Sequence, residues 1–184
     1  MMKNKISLLS MLLCLNLLSC INQSSKVTKS KNANNSPLTG IWNTGCINNN
    51  SESYKLVFTF ESNGNSTLEE TFFSNINCAE GEEEERWKTF YTYTDDLDVL
   101  NFTRTKVEMS VHNSVLRDAR NTDSWCGFNN WSIDVIKDVT NIVCDGFETS
   151  TSESPINPTY SINSGNLEFN GYDHFTDETF IKIQ

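Results

Sequence analysis

The sequence predicts an all-β domain, an antiparallel sandwich or barrel of about eight short strands. Three observations carry that expectation. Apolar residues recur with period two in run after run, clusters of Asn, Gly, Ser and Asp divide the runs, and helical spacing with caps is confined to one stretch, residues 113–121.

Taken in order, Leu38-Thr39-Gly40-Ile41-Trp42 opens the first strand, and Tyr54, Leu56, Phe58 and Phe60 then alternate with Lys55, Val57 and Thr59. Asn63-Gly64-Asn65 reads as the turn of a hairpin into residues 67–73. Trp87, Thr89, Tyr91 and Tyr93 share a face of the next run. In residues 102–111, Thr103, Thr105, Val107, Met109 and Val111 oppose Arg104, Lys106 and Glu108. Trp131, Ile133 and Val135 repeat the alternation, as do Leu167 with Phe169 and Ile181 with Ile183. Such alternation puts one set of side chains on each face of a sheet.

The N-terminus is built differently. Lys3 and Lys5 form a positive start, residues 6–18 are a short apolar run, and Ser19 directly precedes Cys20. The run falls short of the roughly 20 apolar residues that span a bilayer, so it reads as an export signal. Leu17-Leu18-Ser19-Cys20 resembles the lipobox of bacterial lipoproteins, with Leu18 a less usual residue before the serine. That resemblance implies cleavage after Ser19, diacylation of the Cys20 thiol and acylation of its freed amine. Ile21 follows the cysteine where, in enteric bacteria, an Asp signals retention in the inner membrane, so the outer membrane is favoured over the inner. The expected organisation is a signal peptide over residues 1–19, the lipidated Cys20 and a polar tether over 20–36, and one domain over 37–184. A flexible tether of that length holds the domain roughly 20–25 Å from the membrane.

The full chain has 184 residues and a formal charge of −10. Removing residues 1–19 takes two lysines and no acid, leaving 165 residues at −12. Such acidity repels nucleic acid and anionic lipid headgroups, so attachment to the membrane falls to the acyl chains. Of six cysteines, Cys14 leaves with the signal and lipid takes Cys20. Cys46, Cys78, Cys126 and Cys144 remain, and an even number in an oxidising compartment favours disulfides. Three connectivities exist, and order along the chain favours Cys46 with Cys78 and Cys126 with Cys144. A zinc site of four thiolates would want a C-x2–4-C pair, which the chain lacks.

Gly40-Ile41-Trp42 at the first strand resembles the opening of lipocalins and the wider calycin group. The succession GIWNTGC, YKLVFTF, a Gly turn, TFFSNINC and SWC is similar to a set of small bacterial lipoproteins with lipocalin-like domains and no assigned activity. The resemblance covers most of residues 38–184. It implies an up-and-down β-barrel of about eight strands whose narrow end is closed by Gly40 and Trp42. Lipocalins pack an arginine from the barrel's end against that tryptophan. Here the last arginine is Arg120, and the terminal strand offers only Lys182.

Catalytic motifs are missing from the linear sequence. His112 and His174 lie in no metal-ligand spacing and read as polar loop residues, and there is no G-x-S-x-G, S-x-x-K or Gly-rich phosphate loop. The acidic run Glu80 to Glu85 reads as a solvated loop tip, because a Ca²⁺ loop needs oxygens converging from alternate positions. Asp95, Asp96 and Asp98 read as a turn between strands. The expectation is a non-enzymatic, cofactor-free, membrane-anchored lipoprotein that binds a small apolar ligand inside a barrel. The alternative is an interaction protein with a filled core, which meets a macromolecular partner through loops such as residues 113–130.

Overall fold

A computed structural model describes residues 36–49, 52–144, 147, 149–152, 155–171 and 177–184. Cys20, the signal peptide and His174 lie outside the described residues.

Among the described residues the chain is all-β with one helix. Ten strands form a single antiparallel sheet: β1 (Gly40–Asn43), β2 (Ile47–Asn49), β3 (Glu52–Phe60), β4 (Asn65–Phe73), β5 (Glu83–Asp96), β6 (Val99–Val111), β7 (Lys137–Asp138), β8 (Thr159–Asn163), β9 (Asn166–Asn170) and β10 (Thr179–Lys182). β1 pairs with both β3 and β10, so eight of the strands close into a ring in the order β1, β3, β4, β5, β6, β8, β9, β10. β2 extends along β3 and β7 along β6. The seam between β6 and β8 is short, with Val99 paired to Thr159 and Phe102 bridged to Ile156.

The run of β3 faces as the sequence predicts, with Leu56, Phe58 and Phe60 inward and buried, whereas in β10 the buried residue is Phe180, and Ile181 and Ile183 are exposed. β6 departs as well. Its buried apolar residues are Leu100 and Phe102 at one end but Val107, Met109 and Val111 at the other, so the inward parity changes midway, and Ser110 is buried between Met109 and Val111. The cause is a bulge. Phe90 opposes Lys106 and Tyr91 opposes Arg104, leaving Thr105 as the extra residue, its hydroxyl donating to the Phe90 carbonyl. Thr103 and Thr105, expected on the inner face, are exposed.

Two apolar clusters result. Within the ring, Phe58 lies against Phe60, Phe102, Phe169 and Phe180 at ring-centroid distances of 4.5–6.2 Å, and Leu38, Trp42, Tyr91 and Tyr93 complete the packing. The second cluster covers the far ends of β5 and β6. There, Trp87, Val107, Met109 and Val111 meet Trp125, Cys126, Trp131, Val139 and Cys144 from the segment that follows β6.

That segment forms a cap. It begins with helix α1 (Ser114–Thr122), where the expected helical stretch lies, capped by Asn113, whose side chain accepts from the Val115 and Leu116 amides. A single 3-10 turn, Trp125–Gly127, follows. Asn121 then clamps the Trp131 backbone, accepting from its amide and donating to its carbonyl. No strand forms at Trp131, Ile133 and Val135, contrary to the alternation. Only Ile133 bridges β6, at Val111, and Asp134 turns the chain with φ near 60°. Val135 is exposed.

Candidate functional site

The ring closes at Gly40 and Trp42. A Cβ on Gly40 would sit 2.1 Å from the Gln184 carbonyl oxygen, and φ is +133°, so only glycine lets the terminal strand pass this close. Trp42 is buried, donates its indole N–H to the Leu38 carbonyl at 2.6 Å, and pairs in register with Lys182. The Lys182 ammonium lies 5.1 Å from the Trp42 ring centroid, within reach of a cation–π contact.

Arg120, the last arginine, serves the cap instead. Its guanidinium carbon is 3.6 Å from the Trp125 ring centroid, and it donates to Glu85 at 2.9 Å. Glu85 also accepts from the Trp87 indole, so this residue of the acidic run is buried and partnered, not solvated. Glu83 and Glu84 likewise belong to β5, and only Glu80 to Glu82 keep an exposed loop position. Burial raises the Glu84 carboxyl above its ordinary range, helped by the neighbouring charges of Glu85 and Glu52.

Asp95 is a second correction. It is fully buried in β5, accepting from the Ser36 hydroxyl at 2.7 Å and from the Tyr160 hydroxyl at 2.9 Å. Ser36, the last residue of the expected tether, is thereby pinned to the ring. The turn itself falls on Leu97 and Asp98, both at positive φ, as a two-residue hairpin requires.

Cys46 pairs with Cys78 and Cys126 with Cys144, with Cα separations of 5.7 and 4.4 Å. The first pair joins the β2 side to the loop between β4 and β5 near the surface. The second is buried in the cap cluster, so residues 113–130 are not simply an exposed loop.

Two concavities bear on function. Where β3 and β4 meet the cap, a pocket of about 180 Å³ is lined by Tyr54, Leu56, Glu70, Phe72 and Phe147. The Tyr54 hydroxyl donates to Glu178 at 2.8 Å, and its pKa is pushed up to about 12, first by burial and then by that carboxylate. On the outer face of β4, β5 and β6 runs a groove of about 540 Å³, whose walls include Glu69, Arg86, Lys88, Ser110, His112 and Asp134.

In this groove Ser110 Oγ is 2.8 Å from His112 Nε2, and His112 Nδ1 is 2.6 Å from Asp134 Oδ1. Ser110 and His112 share the outer face because they lie two apart along the β6 direction. The Asp134 amide donates to the Val111 carbonyl at 2.9 Å, fixing the turn that brings the carboxylate across. Arg86 stands opposite Ser110 on β5, and its Nε is buried without a hydrogen-bond partner, 3.5 Å from Glu69. The sequence reading missed this array because its members are ordinary residues without a recognised spacing. The signal within reach was Ser110-Val111-His112 at the end of a strand.

Among the described residues, no group of three or more His, Cys, Asp or Glu is arranged to hold a metal ion, and no helix is long and apolar enough to cross a membrane. Fold and site together define an all-β protein with a closed, aromatic-filled ring of eight antiparallel strands and an ionic groove on its outer face. No family model matches the chain, and no curated protein matches it significantly.

Proposed function

We propose that the protein is an exported lipoprotein, held in the envelope by acyl chains on Cys20, whose lipocalin-like barrel meets a macromolecular partner through its outer face. The filled interior carries this reading. Phe58, Phe60, Phe102, Phe169 and Phe180 occupy the space that a ligand takes in an open barrel, each nearly or fully buried. The pocket of about 180 Å³ beside Leu56 and Phe72 is smaller than the roughly 300–1,000 Å³ of small-molecule sites. Its wall also carries Glu70, and an apolar guest would have to exclude water from that carboxylate. Closure at Gly40 and Trp42 supports the lipocalin-like reading of the ring, and the net charge of −10 turns nucleic acid away.

Native mass spectrometry of the full chain, purified from its own cells, tests the filled ring. The expected mass is the mature chain with its covalent acyl groups only. A stoichiometric lipid that leaves on denaturation would return function to the interior. Anchoring is tested separately by Cys20→Ala, which should move the protein from the detergent phase to the aqueous phase and abolish labelling by palmitate.

A further inference from the structure

We propose that Ser110, His112 and Asp134 form a serine acyl-transfer site that hydrolyses small carboxylic esters in the outer groove. It shares only its location with the outer-face reading, so a lipid found inside the ring would leave it standing.

The hydrogen bonds define the roles. Asp134 Oδ1, a carboxylate oxygen, accepts, so His112 Nδ1 carries the hydrogen of that 2.6 Å contact. In the neutral imidazole Nε2 is then the free base, and it accepts from the Ser110 hydroxyl at 2.8 Å. This is the order of nucleophile, base and orienting carboxylate that acyl-transfer enzymes reach on unrelated folds. Arg86 lines the same groove, opposite Ser110 in the β5–β6 register, with its Nε 3.5 Å from the Glu69 carboxylate.

The chemistry balances with water alone. Ser110 Oγ attacks the ester carbonyl carbon while its proton passes to His112 Nε2. The tetrahedral intermediate collapses, the C–O bond to the alcohol breaks, and the alkoxide takes the proton from His112. Water, deprotonated by the same nitrogen, then cleaves the acyl-serine, releasing the acid and restoring the hydroxyl. The exposed Ile136 on the groove wall suits a short apolar acyl group, and the mouth is open to the alcohol.

The test uses the full chain in detergent micelles with a fluorophosphonate probe and p-nitrophenyl butyrate. One probe adduct is expected at Ser110, with ester turnover that Ser110→Ala abolishes. His112→Gln should slow both by roughly 10²–10⁴-fold, the usual worth of a general base. Asp134→Asn, a change at an exposed side chain, should slow both by at least about tenfold with an unchanged melting temperature, which a merely structural hydrogen bond would not do. No adduct at Ser110, an adduct without ester turnover, or rates indifferent to His112→Gln would each overturn the proposal.

Discussion

In the ring, the buried aromatics come from strands that pair all the way round, and each side chain is placed by its own strand's alternation. Phe58 and Phe60 arrive from β3, Phe169 from β9 and Phe180 from β10. In the cap, Trp125, Cys126, Trp131 and Cys144 arrive from a segment with one short helix and a single 3-10 turn, held by a disulfide, the Asn121 clamp and the Arg120 stack. Backbone pairing organises the first core and side-chain ties organise the second. The groove lies where the two meet, with Ser110 on a strand of the sheet and Asp134 supplied by the cap.

The largest expected effect strikes the ring. Trp42→Ala removes a fully buried indole and its hydrogen bond at the closure, and should cost about 3–5 kcal/mol, measured by denaturant unfolding. Stability near the parent value would mean that closure does not depend on Trp42.

The disulfides sharpen the contrast. Their sequence separations of 32 and 18 give each a chain-entropy worth of about 3–4 kcal/mol. Entropy alone slightly favours the longer Cys46–Cys78 loop. Because Cys126 and Cys144 are also buried in the cap core, replacing that pair with alanine should nevertheless destabilise more than replacing the surface pair. The reverse order would show a cap that stands without its staple.

Arg120→Ala should cost about 2–3 kcal/mol, since it leaves Glu85 buried with only the Trp87 indole as partner and strips the Trp125 face. Thermal melting against an Arg120→Lys control checks it, because lysine keeps the charge but not the planar stack.

A smaller effect is alkaline. The Tyr54 pKa is pushed up to about 12, and Tyr160 is raised too, by burial and by the Asp95 carboxylate. Both are raised above their unfolded value, so the stability they contribute is whole below pH 10 and is lost as pH climbs through the folded values. Ultraviolet titration should show these two phenols ionising last, together with unfolding. Early reversible ionisation of all the tyrosines would contradict their burial.

Much of the ring was legible because period two survives translation into structure when no bulge intervenes, as at Leu56, Phe58 and Phe60. The disulfide pairs followed from their order along the chain. β6 was legible only in half, since the extra residue Thr105 is chemically unremarkable and its bulge depends on the register with β5. The cap was opaque, because Trp131, Ile133 and Val135 alternate like a strand while Asp134 turns them away from one. Arg120 illustrates the same limit. An arginine sought against Trp42 is found against Trp125, a contact made by α1 that no linear spacing encodes. The Ser110, His112 and Asp134 array was hidden for that reason as well.

Amide hydrogen exchange on a Cys126→Ala/Cys144→Ala variant tests most directly whether two separately organised cores exist. The expected result is loss of protection in residues 112–144, with β3, β9 and β10 as protected as in the parent. Uniform loss of protection across ring and cap would contradict the division and make the molecule one cooperative core.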